Sequence, residues 1–212
     1  EWGHGELSEK LDTVGTERTY TRPDGKVCTV NDGAAAFGRS TYGWIIDGGA
    51  TAEQVAAAIQ AGQPATIEIP TLQTAAAVAD GGADWGTRWI DVDISEQQAY
   101  LYDNGELLWS APITTGQPNL GNDTPSGVWY INNMQSGDIN LRGPETEDGT
   151  LEWDSHVQFW LPFVGNIVGF HNAPWQSVYG GTGSHGCVRM SYDDAQALYA
   201  VAKVGDAVVV HS

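Results

Sequence analysis

Eight consecutive residues, Gly183-Ser184-His185-Gly186-Cys187-Val188-Arg189-Met190, bring together a thiol, an imidazole, a hydroxyl, two glycines and a guanidinium. Cys187 is one of two cysteines in the chain, the other being Cys28. A second histidine, His171, lies upstream in Val168-Gly169-Phe170-His171-Asn172-Ala173-Pro174-Trp175. A thiol becomes a strong nucleophile when a base takes its proton, and acyl transfer needs donors for the oxyanion that forms. Gly186 leaves the backbone beside the thiol bare enough for a substrate carbonyl to come close. These are the parts of a cysteine acyl-transfer site.

Other readings of the same residues are weaker. A lone cysteine often serves as a small buried hydrophobe. Zinc bound by His171, His185 and Cys187 lacks a fourth ligand and the close Cys or His pairs of structural sites. Ser184 as nucleophile would need glycine two residues before it, where the chain has Thr182. Papain-like and caspase-like signatures are absent around both cysteines. A Cys28–Cys187 disulfide would silence the thiol, so Cys28 is expected to be a free, packed side chain.

Composition narrows the field of partners. The chain has 212 residues, enough for one large domain or one domain with a small companion. Its 27 acidic and nine basic residues give a formal charge of −18. That excludes nucleic acid, whose phosphates nothing here would neutralise, and disfavours anionic membrane surfaces. No apolar run reaches about 18 residues, so no membrane insertion is expected within this sequence. The opening Glu1-Trp2-Gly3-His4 reads as the start of a piece cut from a longer chain, without its signal or anchor.

The elements that must position the motif can be read in two parts. Residues 1–86 read as a small α/β (α+β) unit. Arg22-Pro23-Asp24-Gly25 is turn chemistry, Cys28–Val30 and Tyr42–Asp47 are short apolar runs, and 65–70 alternates as a strand. Thr51 and Gln54 fit a capping box ahead of a helix that Gly62 ends. The glycine-dense stretch 81–86 marks the boundary. From residue 87 the pattern is mainly β: Trp89–Ile94, then two strands flanking Asp103-Asn104-Gly105, which carries a strong hairpin signal. Strands at 128–131, 156–161 and 167–170 follow, with a polar loop over 135–155 that is long enough to wall a cleft. His156 is read as a surface residue on a strand. After the cysteine, Ser191 caps a helix with Asp194 at its third position, and Val208–Val210 closes the chain as a strand.

Ser184-His185-Gly186-Cys187-Val188-Arg189-Met190, preceded by His171, resembles the signature of the L,D-transpeptidase catalytic domain, the YkuD family. Tyr100–Gly105, Thr114-Thr115-Gly116 and Thr124-Pro125-Ser126-Gly127-Val128-Trp129 resemble its earlier strands and Thr-Pro-x-Gly turn, so the likeness covers about residues 87–212. Residues 1–86 resemble, in part, the peptidoglycan-binding domain that often precedes it. The resemblance implies a β-sandwich-like fold with one C-terminal helix, and an extracytoplasmic enzyme, secreted or membrane-anchored, that needs neither cofactor nor metal. Its partners would be peptidoglycan stem peptides, a donor tetrapeptide and an acceptor stem. By position, Cys187 would be the nucleophile and His171 the general base, with Ser184, His185 and Gly186 shaping the loop. The N–H groups of Gly186 and Cys187 would hold the oxyanion, and Arg189 would anchor a carboxylate or polarise the site. Asn172, Trp175 and Tyr179 are expected to line the cleft, though Trp175 reads equally as core. The span from His171 to Ser184 is short for relatives with such an N-terminal domain. Hydrolysis of the same bond, an L,D-carboxypeptidase activity, is therefore the near alternative, and a non-catalytic peptidoglycan-binding module the distant one.

Overall fold

The structure, a computed structural model, describes residues 4–31, 40–75 and 84–212. In its first part run helix α1 (His4–Leu11), strands β1 (Arg18–Thr21), β2 (Val27–Val30) and β3 (Ile45–Ile46), helix α2 (Gly48–Ala61) and strand β4 (Thr71–Gln73). The second part contains β5 (Arg88–Asp93), β6 (Gln98–Asp103), β7 (Glu106–Pro112), β8 (Thr114–Gly116) and β9 (Gly127–Tyr130). It continues with β10 (Gln135–Arg142), β11 (Asp154–Val164), β12 (Val168–Asn172), β13 (Gly181–Ser184), β14 (Val188–Met190), helix α3 (Tyr192–Val201) and β15 (Ala207–His211).

Two sheets carry the second part, one of five strands in the order β7-β6-β5-β15-β9 and one of six in the order β10-β11-β12-β14-β8-β13. Because side chains alternate along a strand, each sheet offers one face to the other. Ile90, Val92, Leu101, Val208 and Val210 from the first meet Leu161, Phe170, Val188 and Met190 from the second in one buried core. Helix α3 adds Ala195 and Leu198 to it. The mainly β sandwich with its C-terminal helix is the expected fold. Local signals hold where turn or cap chemistry is strict. Asn104 and Gly105 take φ of 51° and 84°, the doubly positive pair that a two-residue hairpin needs. Ser191 accepts the N–H of Asp194 as the cap of α3.

The outer face of the five-stranded sheet is not solvated. The β1–β2 hairpin lays Tyr20, Cys28 and Val30 on it, against Trp89, Tyr102, Ala207 and Val209. As a result every residue from Trp89 to Asp93 and from Ala207 to His211 is buried. Asp91 and Asp93, both fully buried, are met by Arg22, Lys26, Tyr20 and His211: Arg22 lies 3.5 Å from Asp91 and 3.4 Å from Asp93, and His211 Nε2 lies 3.0 Å from Asp91. Cys28 and Cys187 are both free thiols.

Three expectations need correction. The cap of α2 is Asp47, whose carboxylate accepts from the Ala50 N–H at 2.9 Å, while the Thr51 hydroxyl donates back to the Asp47 carbonyl at 2.7 Å. Asp47 is preferred because its short carboxylate reaches the first-turn amides directly. Residues 65–70 form no strand; pairing falls instead on β4, antiparallel to β3. Most of them are exposed, so their alternation reports no buried face. The stretch 135–155 is not all loop, because 135–142 is strand β10 along β11, at the edge of the six-stranded sheet. As an edge strand with mostly exposed side chains it has no apolar periodicity to read. His156 is on β11, exposed, with Nδ1 2.9 Å from Asp138. Of the expected boundary at 81–86, residues 81–83 lie outside the described residues.

Candidate active site

Strands β12 and β14 run parallel and adjacent, with Phe170 opposite Val188 and His171 opposite Arg189. Alternation sends Phe170, Val188 and Met190 into the core and leaves His171, Cys187 and Arg189 on the outer face. His171 and Cys187 line one small cavity together with His185, Arg189, Trp153, Ser155 and Leu141. A larger cavity of about 550 Å³ opens beside it, also reached by Cys187 and His185 and walled by Trp153, Trp160, Asn166 and Ile167.

The histidine is set up as a neutral base. Its Nδ1 lies 2.8 Å from the Asn172 carbonyl, which can only accept, so Nδ1 carries the proton and Nε2 keeps its lone pair. Burial, and then the positive charge of Arg189, against the Asn172 hydrogen bond, push its pKa down from 6.5 to about 4. The ring is flanked by Trp160 and Trp175, each with centroids 6.1 Å away. Burial pushes the Cys187 thiol up, with only partial relief from the Gly169 backbone and Arg189. Its Sγ lies 3.6 Å from the Ile167 carbonyl. At neutral pH the pair therefore rests as thiol and imidazole, not as an ion pair.

The loop before Cys187 is held from within. The Ser184 hydroxyl, fully buried, donates to the Cys187 carbonyl at 2.5 Å and accepts the Gly186 N–H at 3.1 Å. Gly186 has φ of 110°, which disfavours any side chain there. Of the two N–H groups expected to hold an oxyanion, that of Gly186 is thus committed inside the loop. His185 is exposed and stacks on Trp153, with centroids 5.7 Å apart at 18°. Arg189 donates to the Gly183 carbonyl at 3.1 Å and sits 5.6 Å from the Trp175 ring centroid. Its Nε is buried without a partner, and among the described residues no carboxylate pairs with it.

The residues expected to line the cleft divide. Trp175 is half exposed at the rim, against His171 and Arg189. Asn172 is fully buried and does not face the cleft: its amide oxygen accepts from Gln158 and Phe159 N–H at 2.8 and 3.1 Å, locking β12 to β11. Alternation explains this, since its neighbour His171 takes the outer face. Tyr179 donates to the Ala173 and Gln176 carbonyls, and lines a separate cavity with Thr114, Gln176 and Gly183.

Sequence reasoning did not single out three contributors. Thr124, known only as part of a resembling turn, accepts the Gly116 N–H at 2.9 Å and donates to the Gly186 carbonyl at 2.8 Å, tying the motif loop to β8. Gly169 leaves no room for a side chain, because a Cβ there would meet the Leu161 carbonyl at 2.6 Å. Trp153 arrives from the loop 143–153, with nothing in its local sequence to say that it returns over the cysteine.

Fold and site together define a β-sandwich protein with a buried cysteine–histidine pair at the mouth of an outer-face cleft. Residues 87–210 match the model of the YkuD family, the L,D-transpeptidase catalytic domain, and the chain belongs to that family. Among curated proteins, YciB of Bacillus subtilis (strain 168), assigned as an L,D-transpeptidase, is 28% identical over 123 residues. That match covers 52% of this chain and 59% of the relative's length. Among solved structures, a Cys-to-Ser mutant of the Enterococcus faecium L,D-transpeptidase has 28% identity and a TM-score of 0.71, covering 97% of this chain and 78% of that one. The Ldtfm–avibactam carbamoyl enzyme has 28% identity and a TM-score of 0.73, covering 98% and 77%. The catalytic domain from the E. faecium L,D-transpeptidase, solved by NMR, has 33% identity and a TM-score of 0.50, covering 58% of this chain and 95% of that domain.

Proposed function

We propose that this protein is an extracytoplasmic L,D-transpeptidase that joins peptidoglycan stems by 3→3 cross-links through a thioester on Cys187. The observation that carries the reading is the shared cavity of Cys187 and a neutral His171, within a chain of this family. His171 Nε2 takes the thiol proton as Sγ bonds to the carbonyl carbon of the donor's third residue. The oxyanion is met by the Cys187 N–H. Collapse breaks the bond to D-Ala, whose nitrogen takes the proton from His171, leaving the thioester. The side-chain amine of a second stem then attacks the thioester; His171 accepts the amine proton and returns it to the departing sulfur. Proton transfer of this kind contributes about a hundred- to ten-thousandfold in rate. Arg189, charged and without a protein carboxylate, would hold a substrate carboxylate.

Residues 87–212 form the catalytic domain on this reading, and residues 1–86 a wall-binding unit. No described helix is long and apolar enough to cross a membrane. Hydrolysis of the acyl-enzyme is the second reading, favoured by the short segment between His171 and Ser184. That segment is braced on itself and on β8, with Gln176 Nε2 donating to Thr114 Oγ1 at 2.6 Å, and so gives little cover to an acceptor. Product analysis with a tetrapeptide donor and an acceptor stem decides between them. A cross-linked dimer with equimolar D-Ala is the expected outcome. Free tripeptide with D-Ala and no dimer would make the protein a carboxypeptidase, and peptidoglycan binding with no product would leave a binding module.

A further inference from the structure

The tight turn Val164–Ile167, closed by the Ile167 N–H on the Val164 carbonyl at 3.0 Å, has a cavity on either side. Asn166 and Ile167 line the Cys187 cleft, whereas Gly165 lines a second cavity of about 580 Å³ between the N-terminal unit and the sandwich. The two cavities therefore share this turn as a common wall.

The second cavity has a distinctive chemistry. Thr41, Gln73 and Thr74 form one wall, and Trp129, Tyr130 and Asn132 the other. None of its lining residues is charged, in a chain with 36 charged side chains in its composition of 27 acidic and nine basic residues. The Trp129 N–H is already donated to the Pro125 carbonyl at 3.0 Å and its ring packs against the sandwich core, so it contributes an apolar wall. The Asn132 amide donates to the Gly165 carbonyl at 2.7 Å and keeps its oxygen as an acceptor. Aromatic faces beside amides and hydroxyls suit a neutral ring with apolar C–H faces and hydroxyl or amide edges. No lining residue offers a counter-charge to an ionic ligand. A peptide would pair with the edge of β9, but Ser40 already donates to the Val128 carbonyl there at 2.7 Å.

Resting on the function proposed above, the donor's scissile carbonyl lies at Cys187, and the stem's other end is joined to an amino-sugar strand. Three extended residues span about 10 Å, and a stem leaving the cysteine cleft past Asn166 and Ile167 would meet the turn whose other side lines the second cavity. We infer that the cavity bounded by Trp129, Tyr130 and Asn132 is a saccharide subsite, which binds the N-acetylated amino sugars carrying the donor stem.

The first test is binding of the stem-free N-acetylglucosaminyl-N-acetylmuramic acid disaccharide to the full chain, followed by NMR. Saturable shifts of the Trp129 indole and Asn132 amide signals are expected, with Trp153 unmoved, and Tyr130→Ala and Thr74→Arg should each weaken binding about tenfold. No shift, shifts confined to Trp153, or equal shifts with a sugar-free tetrapeptide would overturn the inference. This arm requires no catalysis and stands apart from the acyl-transfer reading. In kinetics, the disaccharide tetrapeptide should exceed the free tetrapeptide about tenfold in kcat/KM. Tyr130→Ala should remove that preference and leave the free tetrapeptide value unchanged. Equal values for the two donors in the unaltered protein contradict the subsite, whereas turnover of neither contradicts the acyl-transfer reading alone.

Discussion

Cys187 and His171 both lose hydration on burial, the largest influence on each, and so both are held in their neutral forms. Arg189 disfavours the imidazolium and favours the thiolate, yet for the thiol burial outweighs it. Thiolate absorbance should therefore be absent at pH 7 and emerge only above the ordinary thiol range; a thiolate signal at neutral pH would contradict the pairing described. With the imidazole pKa lowered to about 4, the acid limb of kcat/KM should fall well below pH 6, not near the ordinary histidine value. The residue at 124 gives a separate test. Thr124→Val removes a buried acceptor and a buried donor, leaving the Gly116 N–H and the Gly186 carbonyl unmatched, at about 1–3 kcal/mol each. Urea unfolding should show that loss together with slower acylation.

At the scale of elements, what could be read in advance was what local chemistry enforces. The Asn104-Gly105 turn, the Ser191 cap and the apolar face of α3 were all legible, because each depends on neighbours within four residues. The motif itself was legible as a set of residue types. Its arrangement was not, since the register of β12 beside β14 decides that His171 faces out and Asn172 in. Strand β10 left no apolar trace, being an exposed edge, and so Trp153 stayed hidden in what reads as a polar loop. The alternation of Trp89–Asp93 suggests a half-solvated strand; only the β1–β2 hairpin over its polar face reveals why two aspartates lie buried there. Burial of neutral His171 also leaves a stability signature. A histidine whose folded pKa is lowered contributes fully above pH 6.5 and loses that contribution as pH falls towards about 4. The loss is on the order of 3 kcal/mol. Thermal melts across this window should fall more steeply for the unaltered chain than for His171→Gln; equal slopes would argue against a buried neutral ring.

Across the whole molecule, the N-terminal hairpin and the sandwich are joined by a seam of buried charge. Arg22 is almost fully buried and faces Asp91, Asp93, Asp24 and Glu96. Burial tends to raise the pKa of Asp93, but bonds from Lys26 and Ser95 prevail and hold it down at about 2. The seam's contribution from Asp93 is thus present above pH 3.8 and is lost only as pH falls towards about 2. Arg22→Ala removes the buried guanidinium shared by these carboxylates, leaving Lys26 as the cation on Asp93 and Glu96 and only Tyr20 and His211 on Asp91, and should cost about 3–5 kcal/mol in urea unfolding. The alkylation rate of Cys187, on the opposite sheet, should be unchanged in the native protein. The acidic surface has the general effect of keeping the chain soluble through self-repulsion.

All of this converges on whether Cys187 accepts an acyl group from a stem peptide. The most direct measurement is intact mass after mixing the protein with a tetrapeptide stem, beside Cys187→Ala and His171→Ala. The expected result is an adduct of the tetrapeptide less D-Ala, absent in Cys187→Ala and formed far more slowly in His171→Ala, with D-Ala released in step. An adduct that persists in Cys187→Ala, or D-Ala release that is indifferent to both substitutions, would contradict the assignment of the nucleophile and base.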